Sequence, residues 1–166
     1  MIEIRPLNKD DGFADLLSLS REFFYEYGAY HKDFFKIDTI QDGHIVDYFT
    51  RWRDHENGRV IVAVDGERIV GYITVYVAGQ ADYWAVKTVG HISGLMVQQE
   101  YRRKGIATAL LAAAKKFFAE KAAKYYTVFT AVENRAALEF YARNGLAPLH
   151  TTMIGEVGIL SAESSQ

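Results

Sequence analysis

Gly94-Leu-Met-Val-Gln-Gln-Glu-Tyr-Arg-Arg-Lys-Gly-Ile-Ala-Thr-Ala-Leu-Leu111 is the stretch whose reading decides the fold. An apolar, strand-like piece ends in a basic turn, and the turn opens directly into an apolar-periodic helix. The turn Arg102-Arg103-Lys104-Gly105-Ile106-Ala107 aims backbone N–H groups, at the positive end of a helix dipole, at whatever lies before it. Successive cations at that end repel one another, and a bound polyphosphate reverses the sign of the penalty. The arrangement predicts a pyrophosphate cradle; its bland alternative is a solvated basic turn at a helix entrance. A dinucleotide loop needs glycines spaced G-x-G-x-x-G, but Gly105 stands alone, with Ala107 and Leu110 at the other two places. The Gly-Lys-Ser/Thr of a Walker loop is absent as well.

A second segment, Asn134-Arg-Ala-Ala137-Leu-Glu-Phe-Tyr141-Ala-Arg-Asn-Gly145-Leu146, places Asn134 and Tyr141 two helical turns apart, on one face. Asn134 also reads as a helix N-cap, and Tyr141 as a ring packed under a sheet. The first segment, Arg/Gln-x-x-Gly-x-Gly/Ala, resembles the coenzyme A cradle of the GNAT superfamily of N-acetyltransferases. The second resembles that family's Asn-x-x-Ala-x-x-x-Tyr-x-x-x-Gly motif. Specific resemblance runs from Ile92 to Leu149. It implies that the backbone of Leu95, Met96 and Val97 holds the pantetheine arm of acetyl-CoA. It also implies that Arg102, Arg103, Lys104, Gly105, Ile106, Ala107 and Thr108 carry the phosphates, and that Asn134 contacts the same donor. Tyr141 would protonate the departing thiolate, a role that suits a phenol of pKa near 10.

Composition sets outer limits. The chain has 166 residues, 49% hydrophobic and 24% charged, which suits one compact domain over 1–166 with a partly ordered tail from about 155. A formal net charge of −2 offers no basic field to recruit nucleic acid. Cysteine is absent, which removes disulfides, thiolate metal sites and a cysteine acyl-enzyme, and fits a reducing cytoplasm. No apolar run approaches the ~20 residues of a membrane span, and the five histidines are isolated, so neither membrane nor metal is expected.

Element signals alternate along the chain. Ile2 to Pro6 reads as a strand, and Asp10 to Gly28 as an amphipathic helix. Asp38-Thr-Ile-Gln41 is a capping box for a second helix, with Gly43 arguing for a later start. Strands follow at 59–64 and 69–78 about the turn Asp65-Gly66, then a loop at 79–86 and a strand at 88–97. The long helix from Gly105 to about Ala123 carries the stripe Ile106, Leu110, Ala113 and Phe117. A strand at 125–130, a helix at 134–144 capped by Gly145, and a closing strand at 149–154 complete the order. This predicts an α/β fold with a mixed, mainly antiparallel sheet flanked by helices. It matches the layout of the GNAT fold, whose sheet splays at the cofactor site, and Gly94 is the predicted bulge.

The resemblance implies direct attack of an amine on the thioester in a ternary complex. The amine must lose a proton, the oxyanion needs a donor such as a backbone N–H near Met96, and the thiolate needs an acid. Many relatives carry glutamate where this chain has Ser93, and serine is no base on its own. His91, on the same side of the strand unless a bulge intervenes, is the first candidate; Glu133 and a water relay are the others. The first two helices, where the family takes its acceptor, are rich in aromatic residues, with His31, Asp33, Asp38 and Asp42 among them. A small amine is therefore the expected partner. Tyr83 and Trp84 would cover the site. The family's habit implies a homodimer with the closing strand as a contact. A CoA-binding sensor without turnover and a non-catalytic interaction domain are the rival functions.

Overall fold

The computed structural model describes residues 1–158. Five strands form one sheet in sequence order: β1 (Ile2–Pro6), β2 (Gly58–Asp65), β3 (Arg68–Gly79), β4 (Thr88–Val97) and β5 (Tyr125–Val128). All neighbours are antiparallel except β4 and β5, because α3 (Ile106–Glu120) carries the chain back across the sheet before β5. Helices α1 (Ala14–Gly28) and α2 (Asp42–Asp54) cover one face, and α3 with α4 (Arg135–Arg143) covers the other.

With both faces covered, the central strand β2 is apolar without alternation, and Val60, Ile61, Val62, Ala63 and Val64 are all buried. Val60, Val62 and Val64 meet Leu16 and Leu19 of α1 and Ile45 and Phe49 of α2. Ile61 and Ala63 meet Leu110, Ala114 and Phe117 of α3. The predicted stripe on α3 holds, except that the wall is made by Ala114 rather than Ala113. Gly90 is required by packing: a Cβ there would lie 2.5 Å from the Phe118 ring. Gly90→Ala is expected to cost about 1–3 kcal/mol through displacement of that ring. Chemical denaturation of parent and variant measures it, and an unchanged midpoint would contradict the contact.

Helix starts differ slightly from expectation. Gln41, not Asp38, caps α2, and its N–H donates to His44 Nδ1 at 3.2 Å. Asn134 caps α4 as predicted, its side chain accepting from the Ala137 N–H at 3.1 Å. The closing strand expected at 149–154 does not form. Residues 147–158 carry no regular structure, and Leu149, Met153, Ile154 and Val157 are exposed. A short apolar run makes a strand only where a sheet edge pairs with it, and here β5 is four residues long. The dimer contact expected of that strand thus has no strand to rest on among the described residues. Residues 159–166, most of the expected tail, lie outside them. No helix among the described residues is long and apolar enough to cross a membrane.

Candidate active site

The site begins where β4 outlives its neighbour. β4 pairs with β5 from Val89 opposite Tyr125 to Ile92 opposite Val128, and β5 ends there. Among the described residues, Ser93 to Val97 continue β4 with no strand on that side, which is the predicted splay. On the other side, Thr74 of β3 faces Gly94 while Val75 faces Ile92, leaving Ser93 as the extra residue. The bulge therefore falls one position before Gly94. A strand residue turns its N–H and C=O to the same side, and successive residues alternate. Met96 directs its carbonyl at β3, close to Gly71, and the Gln98 N–H bonds the Val70 carbonyl at 2.9 Å. Leu95 and Val97 accordingly face the open edge, and Met96, named beside them from sequence, does not. Its side chain is buried against the α1 and α2 face instead.

Past β4, a 3-10 turn (Gln99–Tyr101) leads into the basic loop. Arg103 and Gly105 both take left-handed backbone, with φ of 63° and 80°. This folds the loop so that its N–H groups lead into α3. From Arg103 to Thr108 none of them has a protein acceptor among the described residues, and the first helical bond runs from the Ala109 N–H to the Gly105 carbonyl. An uncapped helix entrance preceded by cations fits a polyphosphate. Arg102 plays another part. Its guanidinium bonds the Val97 carbonyl at 2.8 Å and Glu26 of α1 at 2.7 Å. Arg102 thus ties the open edge to α1 rather than presenting its charge to the cradle.

On the α2 face of β4, His91 stacks on Tyr76 with ring centroids 4.9 Å apart, and Tyr76 stacks on Trp52. His91 Nδ1 lies 2.9 Å from Thr127 Oγ1, at the last paired stretch before the gap. Burial holds its pKa below 6.5, so the ring is neutral at pH 7. The bulge lies beyond His91, and Ser93 emerges on the same face, its Oγ 2.7 Å from the Tyr48 hydroxyl of α2. Thr74 Oγ1 and Thr130 Oγ1, the latter just past β5, are buried with no hydrogen-bond partner among the described residues.

Tyr141 is 8% exposed, and burial pushes its phenol pKa up, keeping the proton on. Its hydroxyl has no partner among the described residues, whereas the Asn134 carbonyl oxygen is used by the cap. The aromatic residues of α1 and the following loop largely pack on one another: Tyr27 stacks on Phe23 and meets Tyr30 and Phe35 edge-on. Asp42 pairs with Arg21 and Asp33 with Lys32, so the acidic vestibule is partly neutralised. A groove of about 800 Å³ along α1 includes Phe24, Tyr30 and Ile37, but no residue of β4 lines it. Tyr83 and Trp84 do not cover the site. Their loop turns at the far end of β4 from the cradle, beside Ala122, Lys124 and Tyr125.

Sequence reasoning missed Thr74, and it counted Tyr48 only among the aromatic residues of the first two helices, without its contact to Ser93. Tyr48 stands on the apolar face of α2 between Ile45 and Trp52, and only its position there could have marked it.

Comparison with known proteins agrees with this geometry. The chain is 29% identical over 110 residues to the N-terminal acetyltransferase B complex catalytic subunit NAA20 of Arabidopsis thaliana, covering 65% of this chain and 59% of that one. It spans between 54% and 59% of the length of the curated relatives it matches here. An aminoglycoside acetyltransferase from an uncultured soil metagenomic sample superposes with a TM-score of 0.67 at 25% identity, covering 95% and 96% of the two chains. The structure of AAC(6')-Iy in complex with a bisubstrate analogue, CoA-S-monomethyl-acetylneamine, shares the fold with a TM-score of 0.75 at 14% identity over 95% and 99%. The acetyltransferase (GNAT) family matches residues 14–146, from the start of α1 to just beyond α4. With the splayed strand, the uncapped α3 entrance and the Asn134 and Tyr141 helix all inside that match, the chain belongs to the GNAT acetyltransferase family.

Proposed function

We propose that the chain moves the acetyl group of acetyl-CoA to an amine by direct attack, with both substrates bound together, and that it acts as one domain. The observation that carries this reading is the continuity of the unpaired β4 edge with the uncapped entrance of α3. CoA forms part of the analogue bound to AAC(6')-Iy, whose fold this chain shares. Acetyl-CoA supplies an activated thioester; the amine lone pair forms the N–C bond, the C–S bond breaks, and its electron pair leaves on sulfur.

The chain's own residues manage position and protons. N–H groups from Arg103 to Thr108 hold phosphates, and Leu95 presents its N–H at the open edge to charge developing on an acyl oxygen. Arg102 holds that edge in place. Asn134, whose carbonyl oxygen is committed to the cap, offers its amide N–H to the donor. Tyr141 gives its proton to the departing thiolate. His91 takes the surplus proton from nitrogen once attack has begun, which its pKa allows, whereas it is too weak a base to strip a free ammonium of pKa near 10.

The acceptor is an amine. NAA20 is named for N-terminal acetylation, and other neighbours for aminoglycosides. Ser93, in place of a carboxylate, favours a second reading, a sensor that holds acetyl-CoA without turnover. Calorimetry with acetyl-CoA, and ATP as the comparison, followed by an assay for released thiol, tests both. Micromolar binding with release establishes transfer, binding without release establishes the sensor, and no binding sinks the cradle. If His91 takes the proton, kcat/KM falls as pH drops below 6.5, because burial lowers its pKa and the neutral form is lost only on the acid side. A profile without an acid limb would exclude His91.

A further inference from the structure

The open edge of β4 is not uniform along its length. Leu95 and Val97 both turn N–H and C=O toward the gap, yet Arg102 Nε already donates to the Val97 carbonyl at 2.8 Å. No protein group among the described residues takes the Leu95 N–H, the Leu95 carbonyl or the Val97 N–H. The edge position nearest the cradle is thus half closed by a side chain from the cradle's own loop, and the position at Leu95 is free.

The guanidinium is also held from behind. Arg102 Nη2 bonds Glu26 at 2.7 Å, and Glu22 is 3.4 Å away. Glu22 and Glu26 lie one turn apart on α1 and repel each other, and Glu26 meets the negative end of a helix with no basic residue in its last turn. Arg102 is the one cation paired with either among the described residues. With carboxylates on one side and a carbonyl on the other, the side chain has a fixed place at the near end of the edge.

That place bears on how far along β4 the arm of the donor is drawn. With its phosphates at the α3 entrance, a flexible, amide-bearing arm can pair with the first edge groups it meets. Those belong to Val97, about 7 Å short of Leu95, and a thioester stopped there misses the Leu95 N–H. Resting on the transfer reading above, we propose that Arg102 is a positioning residue that closes this short register. By occupying the Val97 carbonyl it removes the nearest acceptor for an amide N–H of the arm, so that the arm runs on to Leu95. A neutral amide does not displace the charged donor, whose hydrogen bond is the stronger.

Loss of such a residue has its own signature. A freed Val97 carbonyl adds an unproductive binding mode to the productive one, which tightens binding and lowers kcat by the same factor, with kcat/KM unchanged. One ordinary neutral hydrogen bond makes that factor about threefold to tenfold. Arg102→Met combined with Glu26→Gln tests this, because the pair removes one charge of each sign and keeps the formal charge of the cluster. Calorimetry should find acetyl-CoA bound about threefold to tenfold tighter than by the parent. ADP, which has the pyrophosphate and no arm, should bind as it does to the parent. Wherever the parent releases thiol with an amine, kcat should fall by the factor by which acetyl-CoA binding tightens.

Thermal unfolding checks that the variant folds. If it does not, Arg102→Lys takes its place: it keeps the charge for Glu26, lacks Nε, and should shift affinity and kcat in the same directions. Acetyl-CoA and ADP both weakened would make Arg102 a phosphate ligand and overturn the proposal. Unchanged acetyl-CoA affinity would overturn it as well, whatever kcat does, since no unproductive mode was then closed. A parent that binds acetyl-CoA and releases no thiol removes the transfer reading, while the contrast between acetyl-CoA and ADP still decides the part of Arg102. A parent that binds no acetyl-CoA overturns both.

Discussion

Gly105→Glu is expected to remove acetyl-CoA binding, with affinity falling at least 100-fold while the fold survives. Gly105 has φ of 80°, so any side chain there adopts left-handed backbone at a cost of about 1–2 kcal/mol. That cost is local. A Cβ at this position meets nothing within 4 Å, so the protein itself does not clash with the new side chain. The loss of binding comes from charge. A carboxylate set before the first turn of α3 neutralises the dipole end, competes for the free N–H groups, and repels a pyrophosphate. Gly105→Ala separates the two causes, since it brings the strain without the charge, and its affinity should lie between parent and glutamate. Calorimetric titration measures all three, with thermal unfolding as the check on folding. Unchanged affinity in Gly105→Glu would remove the phosphate assignment from this loop.

Tyr141→Phe should lower kcat by about 100-fold or more, the usual contribution of a positioned acid, and leave acetyl-CoA affinity close to the parent value. Burial and Tyr126, not a hydrogen bond, act on the hydroxyl among the described residues, so its removal leaves no orphaned group and little stability is lost. The ring keeps its place in the core beside Phe140. Because burial raises the phenol pKa above 10, the parent should also show no alkaline loss of rate from this group through pH 9. Equal rates for variant and parent would take the acid role from Tyr141 and leave it a packing residue.

Most of the fold was legible in the chain. The run Ile106, Leu110, Phe117 fixes a helix face, the uninterrupted apolar run Val60 to Val64 marks a central strand, and Asp65-Gly66 turns the hairpin. The closing strand was not legible, because Leu149 to Ile154 has strand-like composition and no sheet edge takes it up. Site residues divide along the same line. Gly105 and the Asn134 cap were recognisable, since a left-handed turn and an N-cap are properties of a few consecutive residues. Arg102 reads as a phosphate ligand in sequence, but in space it belongs to Glu26, 76 residues earlier.

The sequence by itself determined the glycine turn into α3, the two-turn spacing of Asn134 and Tyr141, and the order of elements up to α4, because each depends on backbone preferences and periodicities within a few turns. Tertiary structure alone decided which edge of β4 is open, that Leu95 and Val97 rather than Met96 face it, and that Ser93 meets Tyr48 across 45 residues. Those outcomes rest on strand register and on the length of β5. A shift of one residue exchanges the faces of a strand without altering any local preference.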